Sequence, residues 1–231
     1  MNEQYKVQVQ NLVDDLKAVF THAGLGGEAG EYKLLTQSFL YKFLNDKFLY
    51  EAQNVDSENT YEHLVSMSEE DYDWLLEDIG TSTAWMKPNQ FIETLHRKQN
   101  ESDFYETFEN TLNQIAIDNN DIFSVHTDGD TAIRLFDERL ITDTISDSSK
   151  RNEVAKAIIN LLARVKFDET IFSQGFDFFS TLFEYMIKDY NKDGGGKYAE
   201  YYTPHSVAKI IADILVGNDQ PSNVRIYDPS A

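Results

Sequence analysis

One segment of this chain reads as a strand of an α/β sheet: Val224-Arg225-Ile226-Tyr227, closed by Asp228-Pro229. A lone strand leaves its backbone amides unpaired and is not stable by itself. The segment therefore calls for a sheet, supplied by further chain or by a partner. What precedes it is ordered to match. Thr203 is a good N-cap and Pro204 suits the first helical position, where a missing N–H has no partner to lose. Val207, Ile210, Ile211, Ile214 and Leu215 then form one apolar helix face. Gly217 is a natural stop, and Pro221-Ser222-Asn223 turns the chain into the strand. The expected fold class is mainly α: a helical N-terminal domain, then the first helix and strand of a Rossmann-like α/β domain. The boundaries read as 1–165 and 166–231.

Helical spacing dominates upstream. Residues 3–21 place Val9, Leu12, Val13, Leu16, Val19 and Phe20 on one face, until the glycines from Gly24 to Gly30 break it. Residues 31–49 repeat the pattern with Leu34, Leu35, Phe39, Leu40, Phe43 and Leu44. Residues 51–67 are polar and read as irregular. Ser68-Glu69-Glu70-Asp71 is an acidic helix start leading through Tyr72, Leu75, Leu76 and Ile79 to Gly80. Pro88 and Asn89 open a short helix through Phe91, Leu95 and His96. Residues 102–117 form another, and Asn119 to Gly129 is a loop or small hairpin. Arg151–Val165 and 170–190 are the remaining helices.

The 231 residues carry 40 acids against 20 bases, a formal net charge of −20. Such a chain repels phosphate, so direct non-specific DNA binding is not expected unless its bases cluster. No apolar run approaches the roughly 20 residues that span a membrane, and the N-terminus lacks a signal-peptide pattern. With no cysteine there are no disulfides or thiolate metal sites, and a cytoplasmic setting is the default. The five histidines lack ligand spacing, so no metal site is expected from them. Asp189-Tyr190-Asn191-Lys192-Asp193-Gly194, with Glu200 at position twelve, satisfies an EF-hand loop pattern. Gly196 and Lys197 fall at its positions eight and nine, and the next helix restarts only at Pro204. A glycine-rich connector is the better reading. Trp74, Trp85 and the Phe stripe at 172–183 read as core or subunit interface.

Asp228 sits where α/β folds place ligand-binding residues, beyond the carboxyl end of a strand. Tyr201, Tyr202 and the Thr203-Pro204 helix start would supply rings, a hydroxyl and amide donors for a small polar cofactor. Here the chain resembles the modification (M) subunits of type I restriction-modification systems, which are adenine-N6 DNA methyltransferases using S-adenosylmethionine (AdoMet). The resemblance rests on Glu200-Tyr201-Tyr202-Thr203-Pro204 and, after a helix, Ile226-Tyr227-Asp228-Pro229-Ser230-Ala231. The segment Asp177–Ile187 is similar to a third family motif, and Leu135-Phe136 and Arg151-Asn152 match two landmarks before it. The matching covers roughly residues 133–231. Ser180, Ala199 and Ser230 are small-for-small departures from Gly, Gly and Ala.

The resemblance implies that Glu200, Tyr201, Tyr202, Thr203, Pro204 and His205 line the AdoMet pocket from one side. Asp228, Pro229, Ser230 and Ala231 would begin the motif on the other. The glycines expected after Ala231 and the Asn-Pro-Pro-Phe/Tyr motif for the flipped adenine are not among these residues, so the cofactor site is incomplete here. No catalytic residue is expected in this chain, which alone should not catalyse. The implied partners are a second modification subunit, the DNA-specificity subunit, the restriction subunit and, through the complex, DNA; no membrane is implied. The alternative is a non-enzymatic acidic helical module that docks a basic partner or mimics DNA.

Overall fold

The computed structural model describes residues 3–120, 125–126, 132–133, 135–172 and 205–216. The chain divides into two compact units, Met1–Met186 and Ile187–Ala231. The first unit is mainly α. Its elements are α1 (Glu3–His22), α2 (Ala29–Val55), α3 (Tyr61–Ser66), α4 (Glu69–Ile79), a 3-10 turn (Pro88–Gln90), α5 (Ile92–Lys98) and α6 (Phe104–Asp118). Then come β1 (Val125–His126), β2 (Ala132–Ile133), α7 (Leu140–Thr144), α8 (Ser148–Arg164) and α9 (Glu169–Phe172). The two strands pair antiparallel, Val125 opposite Ile133, which makes the small hairpin expected in that region. In the second unit the described residues form α10 (His205–Val216). The expected strand at Val224–Tyr227 lies outside the described residues, and the described helices do not by themselves establish a Rossmann-like portion.

Two helices organise the first unit. α8 packs on α1, α5, α6 and α7, and α2 packs on α1, α4, α7 and α8. Their facing side chains, among them Leu34, Leu35, Phe39, Phe48, Ile158, Ile159 and Leu162, are buried, as are Leu16 and Phe20 of α1 and Phe108 and Leu112 of α6. At about 25 cal/mol per Å² of apolar surface removed from water, such side chains each stabilise by roughly 1.5–3 kcal/mol. Being near the centre, α2 is covered on more than one side. Its buried set includes Lys42, Asn45 and Asp46 as well as the apolar stripe.

Several local expectations are corrected. The second helix does not end at 49 but continues to Val55, because Ala52 is buried and keeps the packed face going. Residues 51–67 are not irregular: α3 forms there, capped by the Thr60 hydroxyl and anchored by buried Leu64. Pro88 starts a separate 3-10 turn, and α5 begins only at Ile92. Trp74 is not core, for 63 % of it is exposed. The helix start at Ser68 is as expected, its Oγ accepting from the Asp71 amide, and Gly80 ends α4 at φ 58°, where a side chain would strain the backbone.

The upstream residues on which the resemblance drew have structural roles in this unit. Phe136 is buried, and Asn152 Oδ1 accepts from the Tyr105 amide at 2.9 Å, satisfying a free N–H at the start of α6. Arg151 Nε donates to Ile145 O at 3.0 Å, and its guanidinium stands over the Tyr105 ring. The Glu109 carboxylate accepts from both the amide and hydroxyl of Thr142, at 2.6 and 2.8 Å. Together these contacts lock α6, α7 and α8 to one another.

Candidate cofactor-binding segment

α10 forms because its apolar residues recur at i, i+3, i+4, i+7 and i+8 with no interior glycine or proline. Val207, Ile210 and Ile211 are exposed, and so, more completely, are Ile214 at 74 % and Leu215 at 80 %. A continuous apolar face of this kind is a surface built to be covered. His205 is the first described residue of the helix, and the expected cap Thr203 and first helical residue Pro204 precede it outside the described residues. The amides of a helix's first turn and its dipole favour negative charge and acceptor oxygens. Glu200, Tyr201, Tyr202, Thr203 and Pro204 lie outside the described residues, as do Asp228, Pro229, Ser230, Ala231 and the EF-hand-like stretch from Asp189.

In the first unit, the polar residues that sequence reasoning missed gather around one carboxylate. Asp46 accepts Lys42 Nζ at 3.0 and 2.9 Å through its two oxygens, Asn45 Nδ2 at 2.8 Å and the Phe167 amide at 2.7 Å. Asn45 Oδ1 accepts from the Ile92 amide at 2.9 Å, and the Tyr41 hydroxyl donates to Gln90 O at 2.6 Å. Every partner is buried, so burial pushes the Lys42 ammonium below the ordinary lysine range while Asp46 pulls it back up. Burial likewise drives the Tyr41 and Tyr72 hydroxyls well above theirs, with Asp46 adding to the effect on Tyr41. Tyr72 donates to Met86 O at 2.6 Å.

A cleft of about 710 Å³ opens beside this cluster, with Lys42, Asp46, Tyr50, Tyr61, Phe91 and Phe167 on its walls. The Asp46 carboxylate there is already saturated, since its two oxygens take four contacts from three donors. The cluster's work is to hold the chain leaving α8 against α2. Phe167 and Ile171 are buried there, and Phe172 packs edge-on against Phe43 at 5.6 Å between ring centroids. Among the described residues no group of three or more His, Asp or Glu side chains converges as a metal site.

Residues 174–231 match the family model for N-6 DNA methylase. The match supports the N6 DNA methyltransferase family. The matched segment begins just past α9 and contains α10 together with the ten residues expected to bind the cofactor. Comparison with curated proteins and with solved structures returns no significant match. No helix among the described residues is long and apolar enough to cross a membrane.

Proposed function

We propose that the chain is the N-terminal region of the modification subunit of a type I restriction-modification system, an AdoMet-dependent adenine-N6 DNA methyltransferase working in the cytoplasm. The observation that carries this is the N-6 DNA methylase match over residues 174–231, with Tyr-Tyr-Thr-Pro directly ahead of α10 and Ile-Tyr-Asp-Pro behind it. The proposed organisation is a helical domain over 1–165 and the start of the methyltransferase domain over 166–231. Its proposed partners are a second modification subunit, the specificity and restriction subunits, and DNA reached through the complex.

The donor set suits AdoMet chemically. Carboxylates at Glu200 and Asp228 match an ammonium or ribose hydroxyls, and the Tyr201 and Tyr202 rings offer faces for a purine or a sulfonium. Thr203 and the start of α10 present a hydroxyl and amide donors for the carboxylate end. AdoMet when bound supplies an electrophilic methyl group. These residues would bind and orient it, and the exposed face of α10 would pack on the sheet that Val224–Tyr227 begins. The adenine pocket belongs to other residues of such an enzyme.

Isothermal titration calorimetry with AdoMet tests the reading, on this chain and on the product of its full reading frame. The expected result is binding by the longer product, lost or weakened at least tenfold by Asp228→Ala, with little or none by residues 1–231. Absence of binding by the longer product would remove the AdoMet assignment.

A further inference from the structure

The outer face of α4 carries an unusual combination of groups. Trp74 stands 63 % exposed at its middle, on a helix that buries Tyr72, Leu75 and Ile79 on its other side. Glu70 and Asp71 precede Trp74 by four and three residues, and Glu77 and Asp78 follow it by three and four, so all four flank the indole on the same helical surface. Asp73 is exposed beside them. Asp71 is engaged by the Ser68 hydroxyl at the helix start. Glu70, Asp73, Glu77 and Asp78 form no ion pair among the described residues.

The surrounding sequence explains why. From Phe48 to Met86 there is no Lys or Arg, whereas ten acids fall in those 39 residues. Half of the chain's net charge of −20 is thus concentrated in this stretch. The charge excess is local, and at its centre is the residue type most enriched at binding hot spots. Duplex DNA and anionic membranes are repelled by such a face. An indole ringed by carboxylates suits a cation that can both stack and pair, which is the chemistry of arginine.

We infer that the α4 face is a docking surface for a basic, arginine-bearing segment of a partner protein, with Trp74 as its anchor and the flanking acids as its charged rim. The partner's guanidinium groups would lie on the indole and reach the Glu70, Glu77 and Asp78 carboxylates. Apolar side chains of the same segment would cover the rest of the ring. Charge steers the encounter, and the indole decides which basic segments stay. This inference uses no residue of the AdoMet segment, so it can fail or hold independently of the methyltransferase reading.

The test is fluorescence anisotropy at about 150 mM salt, where surface charge alone is screened beyond roughly 8 Å. The probe is a labelled 20-residue helical peptide of Arg, Leu and Ala, with Arg and Leu on adjoining faces. A second peptide of equal charge, made of Arg, Gly and Ser, is the comparison. On the full chain, Trp74→Ala is expected to weaken the helical peptide at least tenfold, and Trp74→Phe to restore part of that loss. Glu77→Lys should weaken it more than Asp15→Lys, which makes the same charge change on the exposed side of α1. Equal binding by wild type and Trp74→Ala, or equal effects of Glu77→Lys and Asp15→Lys, would reduce the face to diffuse charge attraction and overturn the proposal. So would a dimer of the chain in sedimentation velocity that Trp74→Ala dissolves, since the face would then belong to a second copy.

Discussion

Asp46 is the residue on which the first unit's interior polarity converges. Taking it away leaves the Lys42 ammonium buried without its counter-charge and the Phe167 amide without an acceptor. Asp46→Ala should therefore destabilise by about 3–5 kcal/mol, the range for breaking a buried pair from one side. Replacing both partners, as in Lys42→Met with Asp46→Leu, should cost much less, because no buried charge remains. Urea unfolding midpoints compare the two, and a cost for Asp46→Ala no larger than for the double variant would refute the argument. The buried tyrosines make a second residue-scale prediction. Tyr41 and Tyr72 have folded pKa values raised above the unfolded value near 10. The stability this represents is fully present below pH 10 and is lost as pH rises through and beyond it. Each such proton steepens the loss by about 1.4 kcal/mol per pH unit. Lys42, shifted the other way, opposes the loss just below its ordinary value of 10.5. Tyr72→Phe should flatten the decline between pH 10 and 11, measured by unfolding at each pH.

At the scale of elements, caps and close approaches set the boundaries. Ser68→Ala removes the side-chain acceptor for the Asp71 amide and should cost about 1 kcal/mol. At Gly30 an added Cβ would meet Thr144 Cγ2 at 2.8 Å, so α2 and α7 approach too closely there for a methyl group. Gly30→Ala should lower the melting temperature despite alanine's better helix propensity, and Thr144→Ser should recover much of the loss. A Gly30→Ala variant as stable as wild type would show that α7 yields at no cost. Elements with a one-sided apolar stripe, such as α1, α4, α6 and α8, were readable from residue spacing. α3 and α7 were not, because six and five residues are too few to show a period and both depend on tertiary packing. Nothing in the sequence marked Lys42, Asn45 and Asp46 as buried, for a related reason. A polar cluster that satisfies itself inside a protein has the same sequence pattern as one that faces water. The candidate site rests differently, on motif order around a Thr-Pro pair; of its residues only His205, at the start of α10, is described.

On the scale of the whole molecule, net charge governs behaviour. An excess of 20 negative charges repels itself in the folded state, and more so where ten acids fall in 39 residues without a base. Raising sodium chloride from about 50 to 500 mM shortens the screening length from roughly 14 to 4 Å and should raise the melting temperature. A melting temperature that falls instead would mean that attractive pairs such as Lys33–Asp137 and Lys87–Asp118 outweigh the repulsion. The clasp between Asp46 and the amide of Phe167 has a different kind of consequence. It grips the main chain, which every residue except proline presents in the same form. Mutations accumulating in the segment after α8 can alter its side chains without undoing this one bond, whereas position 46 has no such latitude. The two ends of a single hydrogen bond are therefore held to unequal standards over generations.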